Sequence, residues 1–239
     1  LAIALDISGV TVRFAGLTAV DTVSFGVEQG VACGLIGPNG AGKSTLFNAI
    51  SRLQRIDTGR VRLFGQDVTR KLPADVARLG VGRTFQETAV FERLSVAEHV
   101  ALAARMIGRD GWRQRADRAL DLTGLRAQRA VLPQALPYEQ RKRLELARAL
   151  ALQPRLLLLD EPAAGLSHAE CESLLALLLD LKRSGDLTLL VVEHNMKFTM
   201  RLADTLVVLD FGKLIARGTP DQVRQDERVL RSYLGSTAR

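Results

Sequence analysis

The stretch Gly37-Pro38-Asn39-Gly40-Ala41-Gly42-Lys43-Ser44 has the spacing G-x-x-x-x-G-K-[ST] and runs straight into Thr45. Glycines so placed let a backbone wrap around phosphates with its N–H groups turned inward, and a helix that follows adds the positive end of its dipole. Lys43 brings a full charge to the outer phosphates, and Ser44 a hydroxyl that can ligate Mg²⁺. A second constellation, Asp160-Glu161, closes the run Leu156-Leu157-Leu158-Leu159. Two adjacent carboxylates at a strand end can divide two tasks: Asp160 holds the water shell of the metal, and Glu161 polarises an attacking water. Phosphoryl transfer to water needs both, because positioning and charge stabilisation supply most of its catalysis. A glycine turn or an acidic strand end is common alone; the pair in one chain points to a shared phosphate site.

Such residues need a scaffold. The opening reads as a small antiparallel sheet, with short strands at Ile3 to Ile7, Val10 to Phe14 and Val23 to Val27. From Val31 to Ile36 the run is nearly all apolar, as in strands buried on both faces, and similar runs recur at Leu156 to Leu159, Leu187 to Val192 and Leu206 to Leu209. Helical segments alternate with them, the first over Thr45 to Leu53, which predicts an α/β core with a mainly parallel sheet. Three capping boxes mark helix starts: Ser95 with Glu98, Ser167 with Glu170, and Thr219 with Gln222. Between about Thr88 and Pro154 the pattern turns mostly helical, anchored by Leu120, Leu125, Leu144 and Leu150. This predicts a helical lobe at 88–154 inserted between core segments 1–87 and 155–239 of a single domain.

Bulk properties exclude other classes. The 239 residues are 47% hydrophobic and 25% charged, which argues against disorder. The greasiest run, Leu174 to Leu181, is interrupted by Asp180 and far shorter than the roughly 18 apolar residues of a membrane span. With no secretion signal at the start, a cytoplasmic place is expected. The two cysteines, Cys33 and Cys171, sit in apolar settings that suggest buried thiols rather than a disulfide framework or a metal site. The formal charge of +7 is spread along the chain rather than gathered into a nucleic-acid footprint, so no nucleic-acid partner is expected.

With these motifs in order, the whole chain resembles the ATP-binding subunits of ABC transporters. The resemblance implies a P-loop NTPase core with an N-terminal antiparallel β subdomain and an inserted helical subdomain, binding ATP with Mg²⁺. Phe14 resembles the aromatic on which the family stacks adenine. Arg83-Thr84-Phe85-Gln86 resembles its glutamine loop, with Gln86 among the catalytic and metal-contacting residues. Gly165-Leu166-Ser167 after Asp160-Glu161-Pro162 resembles the loop facing the partner subunit, and Glu193-His194 the histidine switch. Phe14 to Phe25, Glu161 to Ser167, and the tail from Leu209 through Gly218-Thr219-Pro220 to Tyr233-Leu234-Gly235 are similar to the importer branch for branched-chain amino acids, amides and urea. That likeness implies two cassettes sandwiching ATP head to tail beneath two membrane-spanning permease subunits, on the cytoplasmic side of the inner membrane, with an external solute-binding protein. Gln86 would report nucleotide state to the permease.

One motif departs from the family. Its signature, usually L-S-G-G-Q or L-S-Y-G-Q and offered to the opposite subunit's ATP, reads here Leu136-Pro137-Tyr138-Glu139-Gln140. Pro137 lacks the serine hydroxyl, and a lost charge-assisted hydrogen bond costs about 1.5 to 3 kcal/mol. Glu139 stands where a glycine admits close backbone approach, and a carboxylate facing phosphate would repel it. The expectation is a mixed pair, in which a different chain supplies the intact signature. A non-catalytic nucleotide-binding subunit is the alternative, as is a urea or amide importer.

Overall fold

The computed structural model describes residues 2–85, 91–183, 185 and 187–234. The elements in chain order begin with β1 (Ile3–Phe14), β2 (Leu17–Glu28), β3 (Ala32–Ile36), α1 (Lys43–Ile50), β4 (Thr58–Leu63), β5 (Gln66–Asp67), α2 (Pro73–Arg78) and β6 (Val81–Arg83). Three helices follow, α3 (Val96–Arg105), α4 (Trp112–Leu122) and α5 (Tyr138–Ala151). The chain then alternates through β7 (Leu156–Asp160), α6 (His168–Arg183), β8 (Thr188–Val192), α7 (Met196–Leu202), β9 (Thr205–Asp210), β10 (Lys213–Gly218), α8 (Pro220–Gln225) and α9 (Glu227–Leu234).

Two sheets result. The first, ordered β2-β1-β4-β5, is antiparallel; the second, ordered β10-β9-β3-β8-β7-β6, is parallel except where β10 folds back on β9. Every residue of β3, β7 and β8 is buried, as their nearly all-apolar runs lead one to expect. Successive side chains of a strand point to opposite faces. Leu156, Leu158, Leu190 and Val192 therefore enter a core shared with β1, β2 and α1, while Leu157, Leu159, Leu189 and Val191 enter a second core shared with α6 and α7. A further cluster joins α3, α4 and α5 through Val100, Leu120, Leu125 and Leu144, and α5 turns Leu146 and Ala149 toward the second core.

The expected strands at Ile3 to Ile7 and Val10 to Phe14 are one strand. Gly9, with φ +60°, takes up a register irregularity at the Ser8-Gly9 pair, so both halves of β1 remain on β2. Strands β4, β5, β6 and β10 escaped the sequence pattern: β4 and β10, six residues each, mix buried and exposed positions without a clean alternation, while β6 is only three residues and β5 only two, too short for a period to show. Helix α1 is shorter than the expected Thr45 to Leu53; it begins at Lys43 and stops at Ile50, beyond which Arg52 takes φ +62°. All three capping boxes are formed. Ser95, Ser167 and Thr219 each donate a backbone N–H to the Glu or Gln three residues on, at 2.7, 2.7 and 2.9 Å, and each hydroxyl accepts the return N–H.

Among the described residues no helix is long and apolar enough to cross a membrane. Cys33 and Cys171 are free and buried; burial pushes the Cys33 thiol up to about 11, out of the reactive range.

Candidate nucleotide site

The turn between β3 and α1 is held on three sides. Gly37 has φ +150° and Gly42 φ +95°, and a Cβ on either would fall 2.1 Å from the Leu209 carbonyl oxygen or 2.3 Å from that of Ala19. Only glycine fits both places. Gly212, in the β9–β10 turn, donates its N–H to Ala41 O at 3.1 Å and accepts from Asp21 N at 2.8 Å, which ties the loop to β2. The loop's geometry therefore depends on strands far away in sequence.

Lys43 is buried, and its Nζ donates to Gly37 O at 2.7 Å and Pro38 O at 2.9 Å. Burial lowers its pKa while the Glu161 carboxylate raises it. Gly42 caps α1 in the left-handed conformation without a side-chain hydrogen bond, so the first N–H groups of the helix are not taken up by a capping side chain. A cleft of about 690 Å³ opens over this end, lined by Asn39 to Thr45 together with Phe14, Glu161 and His194. Phe14 reaches it from the tip of the β1–β2 hairpin and is 44% exposed, as a stacking platform must be and a core residue would not.

Glu161 follows β7 with φ +45°, a conformation that costs a non-glycine residue about 1 to 3 kcal/mol and is typical of functional sites. Its N–H donates to Val192 O at 2.9 Å, so the turn is pinned to the end of β8. His194 Nε2 lies 3.1 Å from Glu161 Oε1. Behind both is Glu193, buried at 3% exposure: Oε1 accepts from Ala163 N at 2.7 Å, and Oε2 from His194 N and Asn195 N at 2.8 and 2.9 Å. One carboxylate thus fixes the backbone on both flanks of the Glu161–His194 pair.

Asp160 is buried at the end of β7. Its Oδ2 accepts from Arg83 Nη2 at 3.1 Å, and its N–H donates to Thr84 Oγ1 at 3.3 Å. Burial pushes the Asp160 carboxyl up, and the Arg83 guanidinium opposes this. Among the described residues no group of three or more His, Cys, Asp and Glu side chains forms a metal cage. Ser44 lines the cleft and Asp160, not itself among the lining residues, precedes Glu161 at the end of β7; hydroxyl and carboxylate are hard oxygens of the kind that suit Mg²⁺. Gln86 and Gly235 lie outside the described residues.

The altered signature Pro137 to Gln140 is not in the cleft. Pro137 caps α5, Tyr138 Oη donates to Ala164 O at 3.2 Å, and the ring packs on Gly165. Glu139 does not stand as an open charge at the helix tip. Arg143 Nε donates to its Oε1 at 2.6 Å, and the same guanidinium reaches Thr123 O at 3.1 Å and Ser173 Oγ at 2.8 Å. The expected repulsion applies to an unpaired carboxylate; here the one-turn spacing of Glu139 and Arg143 pairs the carboxylate with a guanidinium on the same helix.

Leu17, Thr18, Ala19, Phe211 and Gly212 also line the cleft and were not anticipated. The Phe211-Gly212 turn between two apolar runs is a legible turn signal, but nothing local says that it folds onto the phosphate loop.

A glycine loop between a buried parallel strand and a helix, with an acidic pair on a nearby strand end, defines a nucleoside triphosphate hydrolase of the P-loop type. Residues 20–164 match the family model described as ABC transporter, and residues 213–239 one described as Branched-chain amino acid ATP-binding cassette transporter. The chain belongs to the ABC transporter family as an ATP-binding, ATP-hydrolysing subunit. It is 36% identical over 248 aligned residues to the high-affinity branched-chain amino acid transport ATP-binding protein BraF of Pseudomonas aeruginosa, covering 97% of each. It is 37% identical over 220 residues to the lipopolysaccharide export system ATP-binding protein LptB of Haemophilus influenzae, covering 90% of each. The crystal structure of the ADP conformation of MJ1267, an ATP-binding cassette of an ABC transporter, superposes with a TM-score of 0.89 at 28% identity, covering 98% of this chain and 100% of that one.

Proposed function

We propose that this cassette energises the import of branched-chain amino acids from the cytoplasmic face of the membrane, docked beneath two permease subunits that an external solute-binding protein serves. The match at residues 213–239 supports the choice of solute class, because the cassette core is about as similar to an export subunit as to an amino acid transport subunit. Urea and amides are the solutes to set beside leucine, isoleucine and valine in any test.

Within the site, Phe14 stacks adenine, Gly37 to Thr45 cradle the phosphates, and Lys43 leaves its loop carbonyls for the outer phosphates. Ser44 and Asp160 would hold Mg²⁺, which would supply charge neutralisation at the phosphates. Glu161 takes the proton of the attacking water, and His194, hydrogen-bonded to it, orients that carboxylate and the terminal phosphate. The observation that supports these roles is the 3.1 Å Glu161–His194 contact at the mouth of the loop. Gln86 joins the metal and the permease by its place in sequence. The 88–154 segment is the lobe that carries α5 toward a second cassette.

That second cassette is a different chain. The support is Pro137, which has neither the hydroxyl nor the N–H of a serine at the head of α5; the Arg143-bound Glu139 does not add to the argument. Reconstitution in proteoliposomes with the permease subunits, the solute-binding protein and the candidate second cassette tests the whole reading. Leucine should stimulate ATP hydrolysis and accumulate inside. Stimulation by urea or amides alone would overturn the solute class, and full activity with two copies of this chain would overturn the mixed pair.

A further inference from the structure

Arg83 has a pattern of contacts that is not legible in the sequence. It stands at the end of β6, three residues before Gln86, and its side chain is only 10% exposed. The guanidinium donates from Nη2 to Asp160 Oδ2 at 3.1 Å and to Asn48 Oδ1 at 2.7 Å, and from Nη1 to the Ser51 hydroxyl. Its face lies over the ring of Phe47, 4.9 Å from the centroid, and Phe85 covers it at 5.1 Å. Asn48, Ser51 and Phe47 belong to or cap α1, the helix that begins at Lys43 and Ser44. One planar cation thus joins the three pieces that must be in register for a metal-bound nucleotide: the helix of the phosphate loop, the carboxylate at the end of β7, and the strand leading to Gln86.

From this geometry we infer that Arg83 is a positioning residue for the metal: it fixes the Asp160 carboxylate relative to α1, and so sets how tightly Mg²⁺ is held with the nucleotide. The inference rests on the reading of Asp160 as the metal's carboxylate. Arg83 touches neither nucleotide nor metal and acts through Asp160. Its guanidinium engages one carboxylate oxygen, Oδ2. The fork shape matters, because the contacts to Asn48, Ser51 and Asp160 use two nitrogens set at a fixed angle, which the single ammonium of a lysine does not reproduce. Partners of this kind behind a metal ligand commonly change metal affinity by about 10- to 100-fold when removed.

The test measures binding rather than turnover. A fluorescent ATP analogue is titrated onto the purified chain without metal, and then Mg²⁺ is titrated at fixed nucleotide. Arg83→Met and Arg83→Lys should leave metal-free nucleotide binding as in the parent chain and raise the Mg²⁺ midpoint by about tenfold or more. Asn48→Ala, which loosens Arg83 without touching Asp160, should raise it in the same direction by less. If Arg83→Met does not fold, Arg83→Lys and Asn48→Ala carry the test. An unchanged Mg²⁺ midpoint in folded Arg83→Lys and Asn48→Ala overturns the inference, as does an equal loss of metal-free binding, which marks a purely structural role. Asp160→Asn separates the two levels. If it leaves the Mg²⁺ midpoint unmoved, the metal reading of Asp160 fails; if it shifts the midpoint while the Arg83 and Asn48 variants do not, only the positioning role fails.

Discussion

Glu161 Oε1 and His194 Nε2 lie 3.1 Å apart, although they sit at the ends of different strands and are 33 positions apart in the chain (194 − 161 = 33). Glu161 is 17% exposed at its side chain and His194 46%, so the carboxylate is shielded while the imidazole faces the cleft. On the proposed mechanism Glu161 is the shielded base and His194 its orienting partner. Glu161→Gln should keep ATP bound and lower phosphate release by about 100-fold or more. His194→Ala should also lower turnover and leave nucleotide binding in place. Steady-state phosphate release alongside equilibrium nucleotide binding checks both, and parent-like turnover in Glu161→Gln would remove the assignment.

The Glu193 carboxylate should be as important to the site's shape as Glu161 is to its chemistry. It accepts three backbone N–H groups from both sides of the pair in a buried setting. Glu193→Ala leaves those donors unmet, at a cost of about 1 to 3 kcal/mol for each buried donor that water does not reach. Urea unfolding should show a loss of at least about 2 kcal/mol on this scale. An unchanged midpoint would mean that water satisfies the donors.

At the head of α5, Arg143 is expected to protect the composite site from Glu139. Arg143→Met should reduce turnover in the reconstituted assembly, and Glu139→Gln in that background should recover part of it. Glu139→Gly alone should give little gain, since the charge it removes is already paired. Turnover per folded molecule is the quantity to compare, because Arg143 also bonds Thr123 O and Ser173 Oγ. A large gain from Glu139→Gly alone would restore the repulsion that the sequence suggested.

Buried His99 gives the fold a dependence on acidity. Its Nε2 accepts from Phe91 N at 2.8 Å and its Nδ1 lies 2.9 Å from Ser95 O, an arrangement that only the neutral ring with a proton on Nδ1 satisfies. Burial lowers its pKa most, with Arg148 acting in the same direction and Glu98 and the Ser95 carbonyl opposing. The unfolded chain therefore takes up the proton first as pH falls. His99 contributes its full stability above about pH 6.5 and loses it progressively below. His99→Gln should flatten that limb in thermal unfolding followed from pH 7.5 to 5; an identical pH profile would exclude the effect.

Much of the scaffold was legible in local chemistry. The nearly all-apolar runs of β3, β7 and β8 announced a sheet covered on both faces, and the three capping boxes marked their helix starts, because both signals need only near neighbours. What local reading missed were short or irregular pieces. Gly9 looked like a strand end and is a bulge inside β1, and β6 is too short to show a period yet delivers Arg83 to Asp160.

The sequence by itself determined the phosphate chemistry: the glycine loop, Lys43, Ser44, Asp160 and Glu161 have residue types and spacings that state their task before any fold is known. Tertiary structure decided what those groups meet. It brought His194 to Glu161, set Glu193 behind them, closed the loop against Ala19 and Gly212, turned Glu139 onto Arg143, and locked Asp160 to α1 through Arg83. The physical reason is that motif chemistry is written over a few consecutive residues, whereas the angle and burial of each group depend on strands and helices brought together only by forming the two cores on either side of the parallel sheet.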